Sequence, residues 1–445
     1  MENQYPITPL DGRYAAKVVE LSPIVSEFGL MKCRARVMIE WVCCLAGHSD
    51  IPFNETVSNQ CAVDFSDADF KAIKALEEKT NHDVKAVEYW LRTKLPKSAW
   101  PWIHFGCTSE DVNNMAYALM LKEVGSVIDD FLEQVITTLN DMAINWADQP
   151  MLSRTHGQPA TPTTVGHEFA VFAHRLERVA KNLGKVTVMG KWSGATGNFA
   201  AHTIALPDVD WLSMSGDFVE SFDVEWNPMT TQIESHDYMI SLLNGLGHLS
   251  GIMDDLCSDL WGYVSIEYFG QKVVATETGS STMPGKVNPI DLENARTNFR
   301  MARGVGQTMA QYLPVSTWQR DLSDSTLQRN FGPVFGYFLL GLKGLQKGLN
   351  KLVLRLDRIE ADLVANPSVL GEAIQTLMRR HGDVDAYEKL KDFQRGKELT
   401  LRDFREFITR LGIPDEDVDR LIALEPRDYV GLSAALVQHY IPYKA

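Results

Sequence analysis

The residues best suited to chemistry lie close together in residues 278–294. Two adjacent hydroxyls, Ser280 and Ser281, are followed by the cation of Lys286, and then by amides and carboxylates. Glycines and prolines recur through the segment, which predicts a loop that leads into a helix. A loop with many hydrogen-bonding groups and little apolar mass has no core to fill. This composition favours closure over an anionic substrate, and a plain connector between helices is the simpler alternative.

Polar residues also gather where helices are predicted to begin. Residues 80–84 open a helical apolar pattern, residues 104–109 place two hydroxyls just before Glu110, and residues 230–234 begin another helix. Such residues often serve only as helix caps. The N–H groups at a helix start also bind carboxylates or phosphates, so these segments are candidate anion sites.

Histidine and arginine supply further candidates. His156 lies in residues 153–162, which are predicted to be a polar loop at the start of a helix, where a lone histidine is most often a surface residue. Residues 318–329 place Arg320 and Arg329 beside several hydroxyls. The sequence has no metal-ligand spacing and no dinucleotide-binding or phosphate-loop motif that fits, so neither a metal nor a cofactor is predicted.

Long helices must position these segments. Apolar residues recur in alternating steps of four and three along four stretches, a heptad pattern typical of helices that pack side by side. Residues 288–311 give a fifth, weaker helix. The pattern predicts an all-α fold with a central bundle of five long helices, some of them paired between subunits. The four stretches are Tyr117 to Trp146, Val165 to Leu183, Leu242 to Val264 and Phe331 to Leu356.

The remaining segments suggest how the chain is divided. Residues 186–206 lose the helical period and could form a short hairpin. After residue 350, turn signals separate shorter helices, which predicts a small C-terminal helical domain. The predicted domains are residues 1–110, residues 111–350 with the candidate loop, and residues 351–445.

Composition excludes several classes of protein. A formal net charge of -15 argues against non-specific nucleic-acid binding, which requires a basic face. No uncharged apolar stretch reaches transmembrane length, and no signal peptide is visible. The six cysteines have no framework spacing, which is typical of reduced thiols in a cytoplasmic protein.

The string G-S-S-x-M-P-x-K-x-N-P at 279–289 resembles the signature of the fumarase/aspartase superfamily, lyases that release fumarate. Within that superfamily the resemblance is to the adenylosuccinate lyase family, and it covers nearly the whole chain. Gly285 departs from it, because the family pattern is M-P-H-K-V-N-P. The other matching strings are D-G-R-Y, T-N-H-D-V-K-A-V-E-Y, C-T-S-E-D, R-T-H-G-Q-P-A-T-P, T-T-Q-I-E and W-Q-R-D-L-S-D-S-T.

The resemblance implies a β-elimination. Fumarate would leave adenylosuccinate to give AMP, and succinylaminoimidazole carboxamide ribotide (SAICAR) to give AICAR, by general acid–base catalysis. Ser280 would be the base, activated by loop closure, and His156 the acid that protonates the departing nitrogen. Lys286 and Asn288 would stabilise the succinyl carboxylate as it gains charge, and Glu293 would orient His156.

The resemblance also implies a nucleotide pocket and a homotetramer in which three subunits form each site. The arginines suit a phosphate, and the other groups suit the rest of the nucleotide. The implied binding residues are Arg13, Tyr14, Arg320, Ser325 and Arg329, completed by Asn81, His82, Asp83, Thr108, Ser109, Gln232, Ser281 and Asn294.

Two other hypotheses remain open at this point. One is a sibling lyase, such as a fumarase, an aspartase or an argininosuccinate lyase, whose small substrate would not need the phosphate-binding set that includes Arg13 and Arg320. The other is a non-enzymatic helical scaffold, which gives no reason for polar loops at helix starts.

Overall fold

The computed structural model describes residues 5–53, 56–274, 282–283 and 285–441, and these are mostly helical. Within these residues, short 3₁₀ turns and six short strands separate the helices. The strands are β1 (Pro150–Thr155), β2 (Gln158–Thr164), β3 (Met189–Gly190), β4 (Glu225–Trp226), β5 (Phe269–Gln271) and β6 (Leu352–Leu354). The α-helices are α1 (Ser22–Val25), α2 (Glu27–Gly47), α3 (Gln60–Val63), α4 (Asp67–Thr80), α5 (Asp83–Lys94), α6 (Ser109–Asn145), α7 (Val165–Leu183), α8 (Ala200–Ala205), α9 (Trp211–Glu220), α10 (Asp237–Ser265), α11 (Ile290–Tyr312), α12 (Ser323–Gln328), α13 (Phe331–Lys351), α14 (Leu356–Ala365), α15 (Gly371–Arg380), α16 (Ala386–Gln394), α17 (Leu401–Ile408), α18 (Asp415–Ala423) and α19 (Ser433–Tyr440).

The predicted all-α class and the five long helices are confirmed. Helices α6, α7, α10 and α13 coincide with the four heptad stretches, α11 coincides with the fifth predicted helix, and α7 begins and ends where its apolar pattern does. Along α6, Tyr117, Val124, Val135 and Leu139 are buried, as expected for residues on the packed face of a long helix. The heptad spacing therefore identified both the helices and their buried faces.

Cα packing divides the chain into two compact units, each made of several segments. The first unit comprises residues 1–132, 179–254 and 295–343, and the second comprises residues 133–178, 255–294 and 344–445. Because the units are built from non-consecutive segments, they do not test the three consecutive domains, which stay a prediction.

In the first unit, α11 and α13 approach closely at one glycine. The rings of Phe299 and Phe338 meet edge to face, with 5.6 Å between their centroids. A Cβ on Gly341 would lie 2.5 Å from the Phe299 ring, so only glycine permits this approach. Substituting Gly341 would force the two helices apart.

In the second unit, apolar side chains pack in clusters. Trp146 and Phe169 pack against Phe269, at centroid distances of 5.8 and 6.0 Å. The short C-terminal helices α15 to α18 surround a separate cluster that includes Ile374, Met378, Leu390, Phe404 and Ile408. The predicted succession of short helices after residue 350 is thereby confirmed.

Three local predictions differ from the structure. Residues 186–206 form no hairpin, because β3 pairs in parallel with the distant β4 and α8 follows it. The fourth heptad pattern overruns its helix, since α13 ends at Lys351 and the next residues form β6, antiparallel to β5. Residues 153–162, predicted to be a loop, belong to an antiparallel hairpin of β1 and β2.

None of the helices in the described part of the chain has both the length and the hydrophobicity needed to span a bilayer.

Candidate active site

A polar cavity of about 750 Å³ lies in the first unit. It gathers segments that are far apart in the sequence but that the resemblance assigned to nucleotide binding. The predicted binding residues that line it are Asn81, His82, Asp83, Thr108, Ser109, Gln232, Ser325, Arg320 and Arg329.

The junction of α4 and α5 presents the first group. Asn81 ends α4 in the left-handed conformation, with a φ of 49°, and its N–H donates to Glu77. His82 is the N-cap of α5, where its Nδ1 accepts a hydrogen bond of 3.3 Å from the Lys85 N–H. The prediction that these residues lie at a helix start is confirmed, and one of them is the cap itself.

Asp83, the first residue of α5, joins two arginines. Its Oδ2 lies 2.9 Å from the buried Arg34 and 3.1 Å from Arg329. Burial would raise the pKa of Asp83, but the charges of Arg34 and Arg329 and the Val84 N–H together bring it below its ordinary value. Asp83 therefore stays ionised and holds Arg329 at the cavity.

Asp111 fixes the pair Thr108 and Ser109 just before and at the start of α6. Its carboxylate accepts hydrogen bonds from the Thr108 N–H at 2.7 Å and from the Ser193 N–H at 2.9 Å, and it forms a fully buried ion pair of 3.0 Å with Lys191. Just upstream, Gly106 has a φ of 71°, and a Cβ there would lie 2.3 Å from His202. Hydrogen bonding to Asp111 and close packing of Gly106 against His202 therefore restrain residues 106–109.

Arg320 lines the cavity beside two carboxylates, Glu110 and Asp324, that were not predicted from the sequence as its partners. Its Nη1 lies 3.0 Å from Glu110 and 3.5 Å from Gln232, and its Nη2 lies 3.8 Å from Asp324. The signal for Glu110 was available, because it lies seven residues before Tyr117 and thus on the buried face of α6. An acid on such a face requires a partner.

Glu110, Asp324 and His236 bring their donor atoms within 4.8 Å of one another, all buried. Such a spacing could hold a metal ion. Arg320 already supplies positive charge to both carboxylates, and the His236 Nε2 lies 3.3 Å from Asp324. These three residues therefore serve to hold the Arg320 guanidinium in place, and no metal ion is needed to explain their proximity.

Trp318 also lines the cavity without having been predicted to bind. Its side chain is 87% exposed and its φ is 57°, which is rare for a residue other than glycine. The indole therefore offers an open aromatic face beside the arginines.

Arg13 and Tyr14 lie in a turn but are not among the residues that line this cavity. Their neighbours Asp11 and Ala15 line a second cavity of about 530 Å³, which shares Arg329 with the first. The turn therefore lies next to an arginine of the predicted phosphate-binding set.

In the second unit, His156 lies at the tip of the β1–β2 hairpin. Thr155 pairs with Gln158, so His156 and Gly157 form the two-residue turn, with φ values of 55° and 74°. Positive φ at both positions is the geometry of a hairpin turn that follows the twist of the strands. The imidazole is exposed and thus accessible to a reactant.

Asp362 of α14 holds this hairpin in place. Its Oδ2 accepts from the Arg154 guanidinium and from the Tyr268 hydroxyl, and its Oδ1 accepts from Asn366 at 3.1 Å. Burial and the hydrogen bond to Asp362 raise the pKa of Tyr268 to about 12, so the phenol remains a donor. Because Arg154 is two residues from His156, this cluster restrains the turn.

The other predicted catalytic residues lie near the start of α11, also in the second unit. Lys286 is exposed, and its N–H donates to Met283 at 3.0 Å. Glu293, in the first turn of α11, accepts a hydrogen bond of 3.1 Å from the Trp261 indole. Its predicted pairing with His156 stays a prediction. Asn288 is half-buried and Asn294 is exposed, whereas Ser280 and Ser281 lie outside the described residues.

Comparison with known proteins gives the class. The lyase family model matches residues 45–304, and the model of the adenylosuccinate lyase C-terminal region matches residues 316–430. The fold is that of a fumarate lyase from Mesorhizobium sp. BNC1, with a TM-score of 0.80 at 19% identity over 96% of this chain and 98% of that one. A 3-carboxy-cis,cis-muconate lactonizing enzyme from Pseudomonas putida gives a TM-score of 0.76 at 20% identity, with the same coverage. The chain is therefore a lyase with the helical-bundle fold.

Curated relatives define the family within this class. The adenylosuccinate lyase of Escherichia coli (strain K12) is 44% identical over 97% of both chains. That of Vibrio cholerae is 45% identical with the same coverage, and that of Haemophilus influenzae is 44% identical over 97% of this chain and 98% of its own. This chain belongs to the adenylosuccinate lyase family.

Proposed function

We propose that this chain eliminates fumarate from adenylosuccinate to give AMP, and from SAICAR to give AICAR, in purine biosynthesis. The observation that carries the proposal is the cavity that joins Asp83, Thr108, Ser109, Arg320 and Arg329 from distant segments. Identity of 44% over 97% of the chain to a curated adenylosuccinate lyase supports the same activity.

The chemistry requires a base, an acid and a stabilised anion. Ser280 takes the proton from the carbon beside the succinyl carboxylate, and His156 protonates the departing nitrogen. Lys286 and Asn288 bind the carboxylate while charge builds on it, and Glu293 orients the acid. The C–N bond breaks, its electron pair goes to the nitrogen, and fumarate leaves. The roles of these five residues follow from the family resemblance.

The cavity suits a nucleotide better than a small dicarboxylate. The guanidinium groups of Arg320 and Arg329 can each bind a phosphate through two N–H groups. Thr108 and Ser109 supply hydroxyls at the N-terminus of α6, which also favours an anion. The second cavity shares Arg329 with the first and is lined by Asp11 and Ala15, the residues near Arg13 and Tyr14 in the sequence. A fumarase or an aspartase has no phosphate to bind, so these groups favour the nucleotide substrates over those of the sibling lyases.

We also propose that the protein is a homotetramer with shared sites. Long helices leave apolar side chains uncovered in a single chain, as Val171, Trp261, Met301 and Tyr312 are 42–55% exposed. Uncovered apolar residues on helices of this length are typical of surfaces that pair between subunits. Neither a metal nor a cofactor takes part in the proposed reaction, and the cytoplasmic location stays a prediction.

The activity test is direct. Purified protein mixed with adenylosuccinate should change the ultraviolet absorbance as AMP and fumarate form, and SAICAR should react as well. Malate, aspartate and argininosuccinate, the substrates of the sibling lyases, should be assayed separately for comparison. Turnover of one of these three together with inactivity toward both nucleotides would overturn the proposal in favour of a sibling lyase.

The arginines should affect binding rather than chemistry. In Arg329→Ala a charged hydrogen bond to phosphate is lost, which weakens binding by about 1.5–3 kcal/mol, or roughly 10- to 150-fold. Since Arg329 is half exposed, the lower end of that range is expected. Steady-state kinetics should show the rise in KM with a nearly unchanged kcat.

Arg402→Ala is the matched control, because Arg402 is exposed on α17 and forms an ion pair with Glu406 on the same helix. It should leave KM unchanged. Equal KM values for Arg329→Ala and the unmodified protein would remove Arg329 from the binding set.

A further inference from the structure

Glu110 has an unusual environment in the first turn of α6. The residue is 1% exposed, and its Oε2 lies 3.0 Å from the Arg320 guanidinium and 3.4 Å from the Asn113 amide. Its other oxygen, Oε1, is buried and accepts no hydrogen bond within the described part of the chain. A buried carboxylate oxygen without a donor is costly when it is charged, and it becomes a hydrogen-bond donor when it is protonated.

The groups that face Glu110 come from three elements. Asn113 and Tyr117 lie on α6 itself. Arg320 lies just before α12, and Asp324 lies on α12. His236 and Tyr238 lie at the start of α10. Arg320 is the cation in direct contact, and Asp324 adds a negative charge. Burial, opposed by Arg320, raises the pKa of Glu110 to about 7.

We propose that Glu110 is a positioning residue that holds Arg320 at the cavity before the nucleotide binds and takes up a proton when an anionic group of the nucleotide binds that arginine. The inference rests on the proposed function, since it needs a nucleotide at Arg320. The proton comes from solvent and joins the carboxylate, while Arg320 keeps its charge and turns it toward the nucleotide anion. The step is a proton transfer: an O–H bond forms on the carboxylate, and the water or buffer acid that donates the proton loses its own bond to it.

The direction of the pH effect follows from the charges. Below its pKa, Glu110 is neutral, so Asp324 is the carboxylate that remains beside Arg320 and the guanidinium attracts the ligand more strongly. Above it, the ionised carboxylate neutralises Arg320 and repels an incoming anion. Affinity for AMP should therefore fall as pH rises from 7 to 8.5, by at most about tenfold per pH unit for one linked proton. The phosphate itself adds little there, because its second pKa is about 6.

Calorimetric titration of the full chain with AMP tests this proposal. Measured in buffers of different ionisation enthalpy, the unmodified protein should take up close to one proton per AMP at pH 8. In Glu110→Gln the uptake should vanish, and affinity should no longer depend on pH between 7 and 8.5. Glu77→Gln, which alters another carboxylate of the same cavity, should keep the uptake.

A second variant tests the proposal even if Glu110→Gln does not fold. Asp324→Asn removes a negative charge beside Glu110 and Arg320, so the pH range of proton uptake should move downward. Equal proton uptake in Glu110→Gln and the unmodified protein would overturn the proposal, as would an unmodified protein that binds AMP without uptake. Turnover of adenylosuccinate should be measured on the same samples. If only the Glu110 proposal fails, turnover and AMP binding persist; if the proposed function fails, both are absent.

Discussion

Replacing Ser280 by alanine is expected to lower the turnover of adenylosuccinate by roughly 10²–10⁴-fold, the range for loss of a positioned acid or base. The variant lacks the proposed base but keeps the cavity that contains Arg320 and Arg329. Binding of adenylosuccinate should therefore persist. Single-turnover kinetics gives the chemical rate, and equilibrium titration gives the dissociation constant.

The neighbouring hydroxyl is the matched control for this variant. Ser281→Ala removes a group assigned to binding, so it should change KM more than kcat. If Ser280→Ala keeps near-normal turnover while it is folded and binds substrate, the base lies elsewhere. His156 would then be the next candidate, with the two roles exchanged.

The helical fold could be predicted because its information is local. Each long helix repeats its apolar residues every three or four positions, and a helix such as α7 begins and ends with that pattern. By contrast, β3 pairs with β4 across more than thirty residues, and two-residue strands have no period of their own. The fourth pattern ran on past Lys351 because Leu352 is also buried, in a strand rather than a helix.

The β1–β2 hairpin could not be predicted from the sequence because its residues lack the usual strand pattern. Pro159 and Pro162 lie in β2, and proline in a sequence argues against a strand. The pairing shifts between Leu152 and Ser153, which also disturbs the simple alternation of buried and exposed residues. The turn at His156 and Gly157 was the available signal, but it lacks the Asn-Gly or Asp-Gly pair that usually marks a two-residue hairpin turn.

For the candidate site, the sequence predicted the residues that line the cavity better than those that support it. The polar side chains at the starts of α5 and α6 were identified by their type and position. Glu110 and Asp324 were not, because their role depends on Arg320 and His236, which come from distant segments. Buried charge networks are formed by tertiary packing, and a single sequence does not record which charges meet.

Mixing two inactive variants should restore activity if the sites are shared between subunits. His156→Ala and Ser280→Ala should each be nearly inactive alone, since one lacks the acid and the other the base. When a site takes these residues from different subunits, a mixed tetramer contains some sites with both residues intact. Random mixing of equal amounts should yield about a quarter of the sites in that form.

The experiment is co-refolding of the two variants, followed by size-exclusion chromatography and an assay with adenylosuccinate. Mixing either variant with the double variant His156→Ala/Ser280→Ala is the control and should restore nothing, because no combination of those chains supplies both residues. Mixed tetramers that form and remain inactive would show that one chain provides both catalytic groups. Recovery near a quarter of the unmodified activity would instead place the acid and the base on different chains, which agrees with the uncovered apolar residues Trp261 and Met301 on the long helices.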